Sequence, residues 1–307
     1  MLNKEEFNKI AELFGVLPQE FYLLVRNPDI FYCNYKIPKK RGGYREISSP
    51  SLKLMAMQRA ILKQILMPNF NPLPCCVGYV KDKNILDNVI PHINNPYLLK
   101  TDLEDFFPSI TKEKVIYLFI KLGFSTRISM LLAALCCKKG ALPQGAPTSP
   151  IISNMIMQSL DVAISEECAR KNFAYTRYAD DITISSKEII DVNFFYRIQD
   201  IIKSSGMSLN EGKTHFYGPG NKKIITGVSI SSGKPKLPRK TKRKLRQEVN
   251  MIEKYGLLNH MERTQQMSPI YIMSLKGKLA FWKQVEPDCP FVNKSFAVLQ
   301  KAIERLD

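Results

Sequence analysis

Three acidic residues have the types and spacing to bind metal ions. Asp102 follows an apolar run, Tyr97 to Leu99, that is typical of a buried strand. Asp180 and Asp181 lie between two further strand-like segments, which predicts a hairpin turn at this pair. If the first strand lies between or beside the hairpin strands, the three carboxylates converge where two divalent cations can sit about 4 Å apart. Oxygen ligands favour Mg²⁺, and such ion pairs serve phosphoryl transfer. Taken alone, an Asp-Asp pair is more simply a turn.

The segments around these acids predict an α+β fold with an antiparallel sheet. Strand-like segments 97–103, 173–178 and 182–186 alternate with predicted helices 112–122, 126–137, 149–171 and 192–204. Short strands are predicted at 207–209, 213–217 and 224–231. Beyond Gly233 the pattern becomes helical, which predicts a boundary between a mixed domain, residues 1–233, and a helical domain, residues 234–307.

The chain is strongly basic, and its charge is clustered. Its 307 residues include 45 Lys+Arg against 28 Asp+Glu, a formal net charge of +17. Residues 234–246 contain many Lys and Arg and no acid, and residues 36–45 form a second basic segment. Solvated faces would explain both segments, but this excess of charge favours a polyanionic partner, and nucleic acid fits best because no amphipathic membrane anchor accompanies it.

Several other classes of protein are disfavoured. The seven cysteines are odd in number and contain no Cys-x-x-Cys, which is neither a disulfide framework nor a zinc pattern. The apolar stretch from Met130 to Cys137 is far shorter than the roughly 20 residues that cross a bilayer, and no hydrophobic signal core opens the chain. We therefore expect no membrane partner and a cytoplasmic location.

Two longer sequence motifs include the three acids, and a third lies between them in the chain. Thr101 to Ile110 reads TDLEDFFPSI, Leu142 to Pro150 reads LPQGAPTSP, and Tyr178 to Asp181 reads YADD. In this order and spacing they resemble motifs A, B and C of reverse transcriptases. The resemblance covers roughly residues 20–231 and is greatest to the bacterial retron enzymes. Their Asn-Ala-x-x-His and Val-Thr-Gly strings read here NVIPH, from Asn88 to His92, and ITG, from Ile225 to Gly227.

The resemblance implies roles for individual residues in catalysis. Asp102, Asp180 and Asp181 would be the catalytic metal ligands, completed by the Leu103 carbonyl, and would hold two Mg²⁺ ions, with Mn²⁺ as a substitute. Phe107 would lie under the sugar and exclude a 2′ hydroxyl, although an ordinary core aromatic fits the residue alone. The other residues implied to bind the nucleotide are Lys40, Arg41 and Arg45 in a fingers hairpin, Gln144 and Gly145 in motif B, and Lys213, which would protonate pyrophosphate.

A second set of residues is implied to bind RNA. It comprises Asn88, His92, Thr226 and Gly227 in the retron-like strings, and Lys240, Lys242, Arg243 and Arg246 in the basic segment. From the residues alone, a capping Asn and a satisfied core His are equally consistent with Asn88 and His92. The Thr226-Gly227 pair is equally consistent with a plain strand irregularity.

The resemblance implies a right-hand polymerase, with fingers and palm to residue 233 and a small, basic, RNA-binding helical thumb. It implies an RNA-directed DNA polymerase that uses deoxyribonucleoside triphosphates and copies a cognate structured non-coding RNA, priming from a 2′ hydroxyl of that RNA. Host ribonuclease H, a defence effector encoded nearby and a role against phage are further implications.

Two rival interpretations remain at this point. One is a reverse transcriptase of the group II intron or diversity-generating type; the absence of a maturase region after residue 307 argues against the intron type. The other is a non-catalytic RNA-binding protein on a polymerase fold, and the presence of all three acids argues against it.

Overall fold

A computed structural model describes residues 11–12, 14–39, 42–268 and 270–304. Lys40 and Arg41, two of the predicted nucleotide-binding residues, lie outside the described residues. Within the described ranges, no helix combines the length and the apolar character needed to cross a bilayer.

The first part of the chain consists of a hairpin and the helices that surround it. The hairpin pairs strands Tyr32–Pro38 and Tyr44–Pro50 in antiparallel register, with Tyr32 opposite Pro50 and Pro38 opposite Tyr44. Ser51 caps the following helix, its hydroxyl accepting from the Leu54 amide. The elements are α1 (Pro18–Arg26), β1 (Tyr32–Pro38), β2 (Tyr44–Pro50), α2 (Leu52–Ile61), α3 (Ile85–Val89), α4 (Lys112–Lys121) and α5 (Thr126–Cys136).

A four-stranded sheet, in spatial order β4-β5-β3-β6, occupies the middle of the sequence. A two-residue turn joins β4 to β5. Leu103, the residue after β3, donates to the carbonyl of Asp180, the residue before β5, so the end of β3 lies beside the start of β5 and the two strands run antiparallel. The predicted strand before motif A therefore lies beside the hairpin rather than between its strands. The strands are β3 (Tyr97–Asp102), β4 (Ala174–Tyr178), β5 (Asp181–Ser186) and β6 (His215–Tyr217).

Two helices accompany the sheet in sequence. α6 (Ser149–Arg170) begins with proline in its first turn, as the Ser149-Pro150 pair predicts. Its buried residues include Asn154 and Asp161, 2% and 1% exposed, together with several apolar side chains. α7 (Val192–Ser204) is capped by Asp191, whose carboxylate accepts from the Phe194 amide at 2.7 Å.

The last part of the chain is a small hairpin followed by helices. Its core gathers Val89, Leu98, Ile225 and Leu237 around the fully buried Trp282. The predicted strand over residues 224–231 is wrong as one segment: Thr226 and Gly227 have φ values of 43° and 90° and form the turn of a hairpin. The elements are β7 (Ile224–Ile225), β8 (Val228–Ser229), α8 (Arg239–Tyr255), α9 (Leu257–Arg263), α10 (Ile270–Val285) and α11 (Pro290–Glu304).

Contacts divide the chain into two compact units. The first comprises Met1–Asn84, Leu99–Ile184 and Ile190–Phe216, and the second comprises Ile85–Leu98, Ser185–Ile189 and Tyr217–Asp307. The second unit thus takes in more than the helical region after residue 233. The reason is visible in its core, where Val89 and Leu98 pack with the residues of the β7–β8 hairpin and the C-terminal helices.

Candidate active site

The first unit brings the three predicted acids together at one end of the sheet's two central strands. Asp102 ends β3, and the next residue, Leu103, donates its amide proton to the Asp180 carbonyl at 3.0 Å. Asp180 completes the turn after β4, and Asp181 begins β5. Each acid is positioned by backbone hydrogen bonding of the sheet, so the arrangement follows from strand pairing rather than from a flexible loop.

Burial and mutual charge act together on these carboxylates. Burial raises the pKa of Asp180 to about 6, and the negative charges of Asp102 and Asp181 contribute to the same shift. Burial also raises the pKa of Asp181, while Lys100 opposes the shift and Asp102 adds to it. Like charges held in a partly desolvated place are stabilised by a cation. The site therefore has the electrostatic character of a cation-binding site.

Lys213 supplies positive charge at the same end of these strands. Its Nζ lies 2.6 Å from Oδ1 of Asp102, and its side chain is half exposed. The backbone supports the pair, because the Asn210 amide donates to the Asp102 carbonyl at 2.8 Å. The structure thus places the lysine that was predicted to protonate pyrophosphate against a predicted metal ligand.

The three aspartates form a donor set that suits divalent ions. Among the described residues, no group of three or more His, Cys, Asp or Glu side chains is assembled as a metal cage. The chemistry of the donors nevertheless fits: Asp102, Asp180 and Asp181 supply only oxygen, which is what Mg²⁺ and Mn²⁺ prefer. The structural observation that favours a cation here is that Asp102 is buried, and Asp180 and Asp181 partly buried, where the ends of β3 and β5 are paired.

Three aromatic rings lie together in the first unit. Phe107, partly buried, has its ring 5.2 Å from that of Phe106 and 6.4 Å from that of Tyr79. Tyr79 has a φ of 62°, which is unusual for a bulky residue. Burial raises the pKa of its hydroxyl, and the charge of Asp180 raises it further while Arg45 opposes the shift.

Sequence reasoning missed the Gly78-Tyr79 segment. A Cβ on Gly78 would lie 2.5 Å from the Ala179 nitrogen, so only glycine allows the backbone to approach the turn before Asp180 this closely. The one signal in the sequence was a glycine beside an aromatic residue, which can mark close backbone approach but does not say to what.

The motif B loop contacts the fingers-like hairpin. The Gln144 carbonyl accepts from the Ser48 amide at 2.8 Å, and a Cβ on Gly145 would lie 2.7 Å from the Ser48 carbonyl oxygen. Gly145 has a φ of 124°, so both its space and its conformation require glycine. Arg45 lies exposed on the same strand, three residues before Ser48. The loop and the hairpin are therefore brought together, with Arg45 presented to solvent.

The retron-like strings occupy the second unit, where two of their polar side chains are fully buried. The His92 Nδ1 lies 2.7 Å from the Ser185 hydroxyl, and the Asn88 amide donates to the Thr226 hydroxyl at 3.3 Å. With exposures of 0%, Asn88 and His92 present no surface that RNA can contact. The core-histidine alternative fits His92, and Asn88 lies within α3 rather than at its N-terminal cap. Direct RNA contact by these two residues stays a prediction, which their burial does not favour. The Thr226-Gly227 pair is a hairpin turn with the Phe281 ring 3.8 Å from a Cβ built on Gly227.

The basic residues of α8 differ in their surroundings. Lys240, Arg243 and Arg246 are exposed. Lys242 instead lies 2.5 Å from Oε2 of Glu286, with only 19% of each side chain exposed. Sequence reasoning did not pair these two residues, which are 44 positions apart.

Comparisons with known proteins are consistent with this geometry. The family model for the reverse transcriptase (RNA-dependent DNA polymerase) matches residues 37–269. The chain is 37% identical over 235 residues to retron Ec86 reverse transcriptase of Escherichia coli, covering 75% of this chain and 72% of that protein. It is 33% identical over 280 residues to retron Ec83 reverse transcriptase of the same species, covering 86% of each.

Solved structures show the same fold at low identity. Apo telomerase from Candida tropicalis aligns with a TM-score of 0.51 at 11% identity, over 89% of this chain and 57% of that one. A match of this kind carries the right-hand polymerase fold and nothing more about function.

Proposed function

The chain belongs to the reverse transcriptase family, among the bacterial retron enzymes, and is an RNA-directed DNA polymerase, and on this premise we propose that Asp102, Asp180 and Asp181 are its catalytic carboxylates. The observation that carries the proposal is the backbone hydrogen bond from Leu103 to Asp180, which brings the ends of two strands and their acids together.

The three carboxylates and the Leu103 carbonyl would hold two Mg²⁺ ions, for which Mn²⁺ could substitute. When bound, such ions lower the pKa of the attacking hydroxyl and neutralise charge on the triphosphate. The protein's part is to hold the carboxylates close together, which the sheet does by backbone pairing. Lys213, held 2.6 Å from Asp102, is a proton donor within the site and would supply the proton to the leaving pyrophosphate.

The remaining nucleotide contacts are assigned by position. Arg45 is an exposed guanidinium on β2 and would bind triphosphate oxygens bidentately, with Lys40 or Arg41 adding point charge. Phe107 would lie under the sugar, as its partly buried ring, 6.4 Å from that of Tyr79, allows. Gln144 and Gly145 would line the base pair, because the loop backbone is held against the hairpin.

A substitution that keeps shape and removes charge tests the catalytic assignment. Asp180→Asn should reduce primer extension on an RNA template by at least about 100-fold while RNA binding and the unfolding midpoint persist, because transition-state charge is no longer balanced. Asp105→Asn is the matched control, since Asp105 is an exposed acid of the same motif with a φ of 43° that asparagine tolerates. A chelator arm tests the metal, and Mg²⁺ or Mn²⁺ added back should restore synthesis. Near-normal extension by Asp180→Asn would remove the assignment.

The retron relatives support a more specific reaction. We propose that the enzyme copies part of a cognate structured non-coding RNA, priming from a 2′ hydroxyl of that RNA and leaving a branched RNA–DNA product. Sequencing the nucleic acid that copurifies with the protein should recover one RNA with DNA joined to it. Recovery of unrelated cellular RNA without linked DNA would contradict the proposal.

We further propose that residues 1–233 act as fingers and palm and residues 234–307 as an RNA-binding thumb. Support comes from α8, whose Lys240, Arg243 and Arg246 are exposed, because A-form RNA is bound mainly through phosphates and shape. Lys242 is a weaker candidate, since it is already paired with Glu286.

Two cellular partners are proposed from the family alone. Host ribonuclease H would remove the copied template, so the pure enzyme should leave the RNA strand of its hybrid intact until that nuclease is added. A defence effector encoded nearby would link synthesis to phage resistance. Plating phage on cells that carry the locus with wild-type enzyme or with Asp180→Asn tests this, and equal plating would contradict it.

A further inference from the structure

A fully buried arginine lies beside the catalytic turn in the first unit. Arg177, at the end of β4, is 0% exposed, and Asp161, in the middle of α6, is 1% exposed. The Arg177 Nε donates to Oδ1 of Asp161 at 2.7 Å, and Nη2 donates to Oδ2 at 2.6 Å. This is a bidentate ion pair with good geometry in a dry environment.

Beyond the ion pair, the same guanidinium donates from Nη2 to the Cys76 Sγ at 3.4 Å and makes two hydrogen bonds from Nη1. Its Nη1 donates to the Ala179 carbonyl at 3.0 Å and to Oδ1 of Asn154 at 3.1 Å. The Asn154 amide in turn donates to the Gly78 carbonyl at 2.8 Å. Asp161 of α6 is thereby joined through Arg177 to the Ala179 turn, which precedes Asp180. Asn154 of α6 is joined to Arg177 and directly to the Gly78 segment.

One of those segments has a strained backbone, and the other is packed tightly against it. Ala179 has a φ of 58°, a left-handed conformation that an alanine adopts only when its surroundings hold it. Gly78 lies so close that a Cβ there would be 2.5 Å from the Ala179 nitrogen and 3.0 Å from the Tyr178 carbonyl carbon. The turn and the Gly78 segment therefore constrain each other, and small shifts in either would move the residues that follow.

Stability alone is a poor explanation for this arrangement. A buried ion pair is often no more stabilising than apolar residues of similar volume, because desolvation of both charges offsets their attraction. These polar groups instead fix the position of the backbone: Arg177 donates to the Ala179 carbonyl, next to Asp180, and Asn154 donates to the Gly78 carbonyl.

We propose that Asp161, Arg177 and Asn154 are positioning residues of the polymerase, which fix the Ala179 turn and the Gly78 segment so that Asp180 and Asp181 face Asp102. The proposal rests on the proposed catalytic role of the three aspartates. Asp161 orients the guanidinium, Arg177 holds the turn, and Asn154 couples the turn to Gly78.

Three variants separate positioning from ordinary stability. Asn154→Ala removes the bonds to Arg177 and Gly78 and leaves the Arg177–Asp161 pair in place. Gly78→Ala forces the segment away from the turn without changing any polar group. Tyr175→Phe is the matched control, because it removes the 2.7 Å hydrogen bond from the Tyr175 hydroxyl to Asp161 and keeps the bonds that reach Ala179 and Gly78.

Steady-state primer extension and thermal unfolding are measured on each full-length variant. Asn154→Ala and Gly78→Ala should lower kcat by about 10- to 100-fold, the size of effect that a misplacement of about 1 Å produces. Their KM for primer-template should change less than twofold, and the rise in unfolding midpoint on adding Mn²⁺ should shrink, since the turn no longer presents its acids. Tyr175→Phe should lower the midpoint while keeping kcat within about twofold of wild type.

Three results would each overturn the proposal: normal kcat and a normal Mn²⁺ shift in folded Gly78→Ala, normal kcat in folded Asn154→Ala, or a loss of kcat in Tyr175→Phe as large as in Asn154→Ala. Asp180→Asn is run in parallel so that the two levels of inference fail separately. An active Asp180→Asn enzyme removes the catalytic assignment itself, whereas an inactive one beside a fully active Asn154→Ala removes only the positioning role.

Discussion

His92 predicts a measurable acid sensitivity of the second unit. Its ring is fully buried beside Ser185, and burial lowers its pKa from 6.5 to about 3. In the unfolded chain the same ring takes up a proton near pH 6.5. Between these two pKa values the ring is protonated in the unfolded state and neutral in the folded state. The free energy of unfolding therefore falls as the pH decreases from 6.5 towards the pKa of the folded state.

The size of the effect follows from the two pKa values. Each pH unit between them is worth about 1.4 kcal/mol. At pH 5 the unfolded ring is almost fully protonated and the folded ring is almost neutral, so His92 lowers the free energy of unfolding by about 2 kcal/mol relative to pH 7.5. His92→Gln removes this titration and also the contact with Ser185. The stability difference between wild type and the variant should thus be large at pH 7.5 and smaller by about 2 kcal/mol at pH 5.

The chain contains a suitable probe for this experiment. Trp282, its single tryptophan, is fully buried in the core of the second unit, which also contains His92. Urea unfolding followed by Trp282 fluorescence at several pH values gives the free energies. Ser185→Ala is the matched control: it loses the hydroxyl 2.7 Å from Nδ1 but keeps the buried ring, so its deficit should be nearly independent of pH. A difference between wild type and His92→Gln that is the same at pH 7.5 and pH 5 would refute the reasoning.

Three further predictions follow from single sites. Phe107→Val should raise ribonucleotide relative to deoxyribonucleotide incorporation, because it opens room at the sugar; an unchanged ratio in an active variant makes Phe107 an ordinary core residue. Arg243→Ala should weaken RNA binding and flatten its dependence on salt concentration, since fewer counterions are released; lost affinity with an unchanged slope excludes phosphate contact. Lys242→Met should chiefly lower the unfolding midpoint, because it leaves Glu286 without its partner at 2.5 Å; a normal midpoint with weakened RNA binding would instead make Lys242 an RNA contact.

Much of the candidate site could be predicted because it is built from local signals. An apolar run ending in Asp102 and an acidic pair between two strand-like segments each predict a strand end or a turn from short-range pattern. Pairing of neighbouring strands then allows the first strand to lie either between or beside the two hairpin strands, and in the structure it lies beside them. The helix starts at Ser149 and Ser125 were likewise predictable, because caps and first-turn proline are properties of a few adjacent residues.

The polar network beneath the site could not be found in this way. Asp161 and Arg177 are 16 positions apart on different elements, and Asn154 and Gly78 are 76 apart. On α6, Asp161 has the residue type of an exposed helical acid, and nothing in its periodicity shows that a buried guanidinium faces it. The Lys242–Glu286 pair, 44 positions apart, was hidden for the same reason, and this is why a basic segment overestimates the number of side chains available to RNA.

The two retron-like strings show how a family pattern can be structural as well as functional. They are 138 positions apart, yet the Asn88 amide meets the Thr226 hydroxyl within the second unit. Thr226 is a β-branched residue with a φ of 43°, a conformation that costs free energy unless neighbours hold it. Asn88 supplies such a neighbour, and His92 anchors the other end of its segment to Ser185. The side chains that define these strings therefore act on each other, and any effect of Asn88 or His92 on RNA must pass through the shape of the hairpin turn and of the segment that carries them.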